Sequence, residues 1–151
     1  MKSQGEIEAA VCDGISRFQH EFLGRGPRDI NAYLIGTLLV VRLKGVLSPA
    51  ERQLVMPLVS VGADGDTDGA GVAVGESGGE NGNGRALLKQ VRAHMVSVGR
   101  QRLAEIIELA VGVKLVSVHH DISTVTGEEV FAFSLADQPA CRPKKRPERG
   151  P

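Results

Sequence analysis

A few places in this 151-residue chain hold residue types and spacings able to do chemistry. His119-His120-Asp121 gathers two imidazoles and a carboxylate, groups that ligate transition metals or relay protons. On a strand, successive side chains leave by opposite faces, so His119 and Asp121 share one face and His120 takes the other. Two ligands fall short of the three that a catalytic metal ordinarily takes from protein, and His20 and His94 lie in helical stretches with no sequence reason to converge. Hydrogen-bonding polar groups at a strand end, leading into the turn Thr124 to Glu128, are the plainer expectation.

Gly24-Arg25-Gly26-Pro27-Arg28, with Asp29 beside it, could cradle an anion, since two guanidiniums and the N–H groups of a turn attract phosphate or carboxylate. The order here is helix to strand, opposite to a dinucleotide fingerprint, and no GK[ST] P-loop occurs. Arg42 and Lys44 alternate on one strand face, a pattern that is more often a solvated surface than a binding patch. Asp64-Gly65-Asp66-Thr67-Asp68-Gly69 matches the first half of an EF-hand calcium loop, but position twelve is Gly75 and Glu76 comes one place late. Cys12 and Cys141 read as free thiols, and no G-x-S-x-G is present. No catalytic constellation and no cofactor motif emerges, so the expectation is a protein that is not an enzyme.

The elements that carry these residues are legible. Ser3 with Glu6 forms a capping box, and Ile7, Val11, Ile15, Phe18 and Phe22 then recur at helical spacing until Gly24 and Gly26-Pro27 end the helix. INAYLI and TLLVVRLK, broken at Gly36-Thr37, predict a hairpin in which Leu39, Val41 and Leu43 face one side and Val40, Arg42 and Lys44 the other. Ser48-Pro49-Ala50-Glu51 opens a short helix. A long helix is predicted from Arg85 to Val111, with Leu88, Val91, Met95, Val98, Leu103, Ile106, Ile107 and Ala110 as its apolar stripe and Gly112 as its stop. VKLVSVHHDIS and EEVFAFSL, separated by Thr124-Val125-Thr126-Gly127, give a second hairpin.

Helix-strand-strand therefore occurs twice. The expected fold is α+β: a four-stranded, mainly antiparallel sheet with two long helices on one face. Residues 1–138 make a single domain, interrupted at 57–84 by a segment with nine glycines, five acids and no Lys or Arg, which reads as a flexible loop. Residues 139–151 read as a disordered basic tail, with Arg142, Lys144, Lys145, Arg146 and Arg149.

Composition sets limits on function. The hydrophobic fraction is 42% but Trp is absent, so the core must be aliphatic and the aromatic platforms of single-strand nucleic-acid binders are mostly missing. Formal net charge is zero, which argues against a global pull toward nucleic acid. With no apolar leader and no apolar run long enough to cross a bilayer, the expected location is cytoplasmic.

GRGPRDI (24–30), VRLKGVLSPAE (41–51) and VKLVSVHHDISTVTGEEVFAF (113–133) together resemble the MpsC family of small bacterial proteins, named for a Na⁺-translocating, membrane-potential-generating system. The resemblance covers about residues 3 to 56 and 85 to 137. It implies a soluble accessory subunit of an ion-translocating membrane complex linked to inorganic-carbon supply, acting by protein–protein association beside a large soluble partner. It assigns no catalytic residue. A peripheral position at the inner face of the membrane is compatible with it, and the basic tail could contribute there. A homodimer is expected, because Leu87, Val96 and Leu109 lie off the main stripe of the long helix and need covering. The alternative is a stand-alone regulator that binds a small anion or nucleic acid through Arg25, Arg28, Arg42, Lys44 and the tail.

Overall fold

Capping chemistry fixes where the first helix starts and stops. In the computed structural model, which describes residues 1–55 and 77–142 with side chains in the second stretch from residue 83 onward, helix α1 spans Gln4–Leu23. The Ser3 hydroxyl accepts the Glu6 N–H at 3.2 Å, and the Glu6 carboxylate accepts the Ser3 N–H at 2.6 Å. At the other end Gly24 takes the left-handed conformation, φ 71°, and donates to the His20 carbonyl. Ile7, Val11, Ile15 and Phe18 form the buried stripe, each worth roughly 1.5–3 kcal/mol against leaving it in water.

Strands β1 (Asp29–Ile35) and β2 (Leu38–Lys44) form the first hairpin, and β3 (Leu115–Ile122) and β4 (Glu129–Leu135) form the second. The sheet order is β1-β2-β4-β3, antiparallel throughout. Its inner face is buried: Ala32 and Leu34, then Leu39, Val41 and Leu43, then Phe131, Phe133 and Leu135, and finally Ile122. The strand periodicity thus sends one file of each strand under the helices and the other outward, and the α+β fold is the expected one.

The long helix differs from its expectation in three ways. It is two helices, α3 (Ser77–Val98) and α4 (Arg100–Val111), meeting at Gly99, whose φ −87° and ψ 4° are not helical. Gly99 is buried against Phe18: a Cβ there would lie 2.6 Å from the ring. The bend lets α4 pack along α1 while α3 turns to the short helix α2 (Pro49–Val55) and to β3.

The buried stripe of α3 is also rotated. It runs Leu88, Arg92, Gly99, with Met95 half-buried, while Val91 and Val98 are exposed. Leu88 and Met95 lie on the expected stripe, but Arg92 and Gly99 take the places expected of Val91 and Val98, so the true stripe contains an arginine.

Finally, α3 begins at Ser77, so Ser77 to Gly84, which glycine content had assigned to the loop, is helical. Once Arg85 to Val98 is nucleated, each residue added in front gains a hydrogen bond. Gly84 helps by letting α3 approach α2 so closely that a Cβ would collide with the Leu54 carbonyl oxygen. The remainder of the 57–84 segment, as far as residue 76, lies outside the described residues, and so do the Asp64 to Gly69 motif and tail residues 143–151.

The start of the tail is held. Pro139 is buried, Cys141 packs against the core, and the Arg142 N–H donates to the Lys2 carbonyl at 3.1 Å. Of the residues expected to need a partner chain, Val96 packs within the chain, whereas Leu87 and Leu109 are exposed, on two different helices. Among the described residues no helix is long and apolar enough to cross a membrane.

The glycines give a signed prediction. Gly99 lies between the two helices with a non-helical backbone, so Gly99→Ala gains little helix propensity, while overpacking a core that cannot yield costs about 1–3 kcal/mol, and Phe18 is fully buried. Gly99→Ala should therefore lower the unfolding free energy. Gly5→Ala, in open space within α1, should raise it by roughly 0.5–1 kcal/mol. Urea unfolding of the two variants checks both signs.

Candidate functional site

The sheet has two faces, and each holds a group of polar residues. Beneath it, Arg92 projects from α3 into the aliphatic core at 1% exposure. All five of its N–H donors are used. Nε and one Nη2 hydrogen grip the two Glu51 oxygens at 2.8 and 2.9 Å, and the other Nη2 hydrogen meets the Val46 carbonyl at 2.9 Å. Nη1 reaches Glu129 Oε2 at 3.1 Å and Gln19 Oε1 at 3.3 Å. Gln19 in turn donates from Nε2 to Glu129 Oε1 at 2.6 Å. One guanidinium thereby joins α1, the segment after β2, α2, α3 and β4.

Each partner is delivered by local structure. Glu51 is the third residue of the Ser48 capping box: it accepts the Ser48 N–H at 3.0 Å while the Ser48 hydroxyl accepts the Glu51 N–H at 3.2 Å. Burial pushes the Glu51 carboxyl up, but the Ser48 N–H and the Arg92 guanidinium outweigh it and hold the group below the usual carboxylate range. Gln19 lies on the buried face of α1 next to Phe18. Glu129 opens β4 with its side chain on the inner face, 1% exposed.

His120 approaches the same cluster from β3. Its Nε2 is 3.5 Å from Glu129 Oε2 and has no hydrogen-bond partner among the described residues, while its ring lies against Phe131 with centroids 4.7 Å apart. The cluster sets one cation against two carboxylates and leaves no donor of Arg92 open to a substrate. Its chemistry is that of a clamp.

The outer face carries the other candidate residues. Register places Asn31, Arg42, Val130 and Asp121 in one row, Tyr33, Val40, Ala132 and His119 in the next, and Ile35, Leu38, Ser134 and Ser117 in a third. Tyr33 is 49% exposed, Ile35 63% and Leu38 38%, with nothing over them among the described residues. A register shift between Leu115 and Ser117 leaves Val116 exposed at the edge.

Arg42 forks onto Glu128 through Nε and Nη2, the second arm at 3.1 Å, and this pairing lowers the Glu128 carboxyl. Lys44 lies opposite Asp29 across β1 and β2. The Asp121 carboxyl is held low chiefly by Lys89, at 3.0 Å, which reaches round the sheet edge from α3. His119 meets the Ser117 hydroxyl at 3.3 Å.

The sequence-derived candidates therefore separate. His119 and Asp121 stand on the outer face, and His120 is buried beneath. Arg25 and Arg28 are exposed at the α1–β1 connection, and neither lines the groove formed there by Ser16, Arg17, His20, Glu21, Gly26 and Pro27. Of the cations expected to hold an anion, Arg28 donates its backbone N–H to the Lys44 carbonyl at 2.9 Å, which sets the two residues side by side, while Arg42 is engaged by Glu128. Burial pushes the Cys12 thiol up, with Asp13 adding to the effect, which disfavours its nucleophilic thiolate. Sequence reasoning missed Arg92, Gln19 and Glu129. The available signal was that Arg92 follows Leu88 by four residues on the stripe that continues to Met95 and Gly99.

Replacing Arg92 by Met keeps the volume but leaves Glu129 without its cation, and breaking a buried pair in this way costs about 3–5 kcal/mol. Chemical denaturation should show a loss of that size. A second prediction concerns pH. The folded-state value of Glu51 is depressed, so its contribution is complete above the unfolded-state value of about 4.3 and disappears as pH falls through the lower folded value. Glu51→Gln should flatten that part of the acid limb of the thermal-unfolding profile.

Comparison with known proteins places the chain in a family. The description "Na+-translocating membrane potential-generating system (MpsC)" matches residues 3–57 and 79–137. The chain is similar to the uncharacterized protein YbcI of Bacillus subtilis (strain 168), 30% identical over 136 residues that make up 90% of each chain. No solved structure matches. With both helix-strand-strand units matched and a relative aligned over nearly its whole length, the chain belongs to the MpsC family.

Proposed function

We propose that the protein acts by association, as an accessory subunit of the Na⁺-translocating, membrane-potential-generating system after which its family is named. The observation that carries this reading is the outer face of the sheet, where Tyr33, Ile35 and Leu38, with nothing over them among the described residues, form an exposed apolar file beside the Arg42–Glu128 pair. Tyrosine and arginine are enriched at interface cores, and an aliphatic surface of this kind is stabilised when a partner removes it from water. The interior supports the same reading from the other side, since the donors of Arg92 are all engaged within the fold.

The docked partner is another component of that system. A homodimer remains part of the proposal, paired through Leu87 and Leu109, which are exposed on α3 and α4, so that the sheet face is left to the other component. Regulation through a basic patch has less support, with Arg42 held by Glu128 and Lys44 facing Asp29 across the hairpin.

Affinity purification of tagged protein from its own host tests this. Wild type should bring other components of the system with it, while Leu38→Glu and Tyr33→Glu, at positions that need no burial for folding, should lose them with the unfolding midpoint nearly unchanged. Recovery of the same partners by the variants, or of no partner by wild type, would contradict the proposal. Light scattering reports pairing separately, as a mass near twice 16.0 kDa that neither sheet-face substitution should change and that Leu109→Glu should halve.

A further inference from the structure

A second group of cations converges at the end of the sheet away from the outer face's apolar file. Arg52 from α2 and Arg85 from α3 line one cleft of about 380 Å³, closed on its far side by the β3–β4 turn with Thr124 and Thr126. Leu47 and Val55 supply an apolar wall, and Leu47 lies under Gly127, where a Cβ would come within 3.1 Å of it.

Charge and hydrogen bonding in this cleft are unbalanced. Arg85 Nε is buried and has no hydrogen-bond partner, and neither guanidinium meets a carboxylate among the described residues. By contrast, the buried Arg92 is answered by Glu51 and Glu129, and even the half-exposed Arg42 is answered by Glu128. A buried N–H without an acceptor is a standing cost in the fold, and one that an incoming acceptor removes. The Thr124 hydroxyl has no hydrogen bond of its own within the described structure. The Thr126 hydroxyl accepts from the Glu128 N–H at 3.3 Å and keeps its proton to donate.

We propose that this cleft binds a phosphate group, held by Arg85 and Arg52 with the hydroxyls of Thr124 and Thr126. Two guanidiniums match the charge of a phosphate dianion, and their forked N–H groups match its oxygens. Leu47 and Val55 leave room for an organic substituent, so the source is either free phosphate or a small phosphate monoester. The site is independent of the docking surface, because it lies among α2, α3 and the turn and uses none of the outer-face residues.

Nuclear magnetic resonance of the full-length protein tests the proposal directly, following the Arg85 Nε–H and the Thr124 to Gly127 amides. Inorganic phosphate and phenyl phosphate are titrated in turn, each against sodium chloride at matched ionic strength. Both phosphates should shift these signals saturably where chloride does not. Tighter saturation by phenyl phosphate identifies a monoester as the ligand class, and equal saturation identifies free phosphate. Arg85→Gln should weaken binding about tenfold or more, Arg52→Gln should weaken it measurably, and Arg25→Gln, on the exposed α1–β1 connection, should not change it. Amide dispersion of each variant establishes that it is folded, and Arg52→Gln alters only an exposed side chain. Shifts that do not saturate, that chloride reproduces, or that survive both Arg85→Gln and Arg52→Gln would overturn the proposal and leave the Arg85 donor to water.

Discussion

Moving a guanidinium from water into an aliphatic core carries a penalty of several kcal/mol even after the surroundings relax. Arg92 is such a group, and it is tolerable only if every donor finds an acceptor at once. That requirement couples parts of the chain which hydrophobic contact alone would leave free to slide. Glu51 must be presented by the Ser48 capping box, Gln19 must leave α1 on its buried face, Glu129 must start β4 pointing inward, and the Val46 carbonyl must face the core. Lysine could not replace this fork, having one ammonium where five fixed donors are in use. Apolar packing makes the fold compact, and the arginine determines which compact arrangement it is.

From this constraint follows the contrast between the two faces of the sheet. Inside, every donor of Arg92 is paired and helices cover the strands. Outside, the rows running from Tyr33 to His119 and from Ile35 to Ser117 have no cover among the described residues. The outer charges are arranged locally, Arg42 with Glu128 and Lys89 with Asp121, so the apolar file in the adjoining rows is bordered by neutral pairs rather than by a net field. A surface of this type suits a protein partner better than a polyanion.

Much of the fold was legible because local signals and burial agreed. The Ser3–Glu6 box, Gly24 and Gly112 mark helix ends through backbone chemistry that needs no tertiary information, and period-two alternation separates the two faces of β2 and splits His119 from His120. The misreadings share one cause, which is tertiary contact over long sequence separation. Gly99 looks like an ordinary weak helix residue until Phe18, far away in the chain, is found against it. Arg92, flanked by exposed residues, reads as part of a solvated face, and its partners at positions 19, 51 and 129 cannot be paired with it by spacing. The Arg52–Arg85 cleft was hidden for the same reason, since helix and turn meet there only in three dimensions. Family resemblance supplied the system, and no residue-level signal in the sequence supplies it independently.

The central claim, that Arg92 and its carboxylates act as one coupled clamp, is tested most directly by a double-mutant cycle between Arg92→Met and Glu129→Gln, measured by equilibrium denaturation. Coupled groups give a double variant less destabilised than the sum of the singles, by about 1–3 kcal/mol, because each substitution alone strands the other's partner. Additivity to within roughly 0.5 kcal/mol would contradict the account and reduce Arg92 to a buried residue with independent contacts.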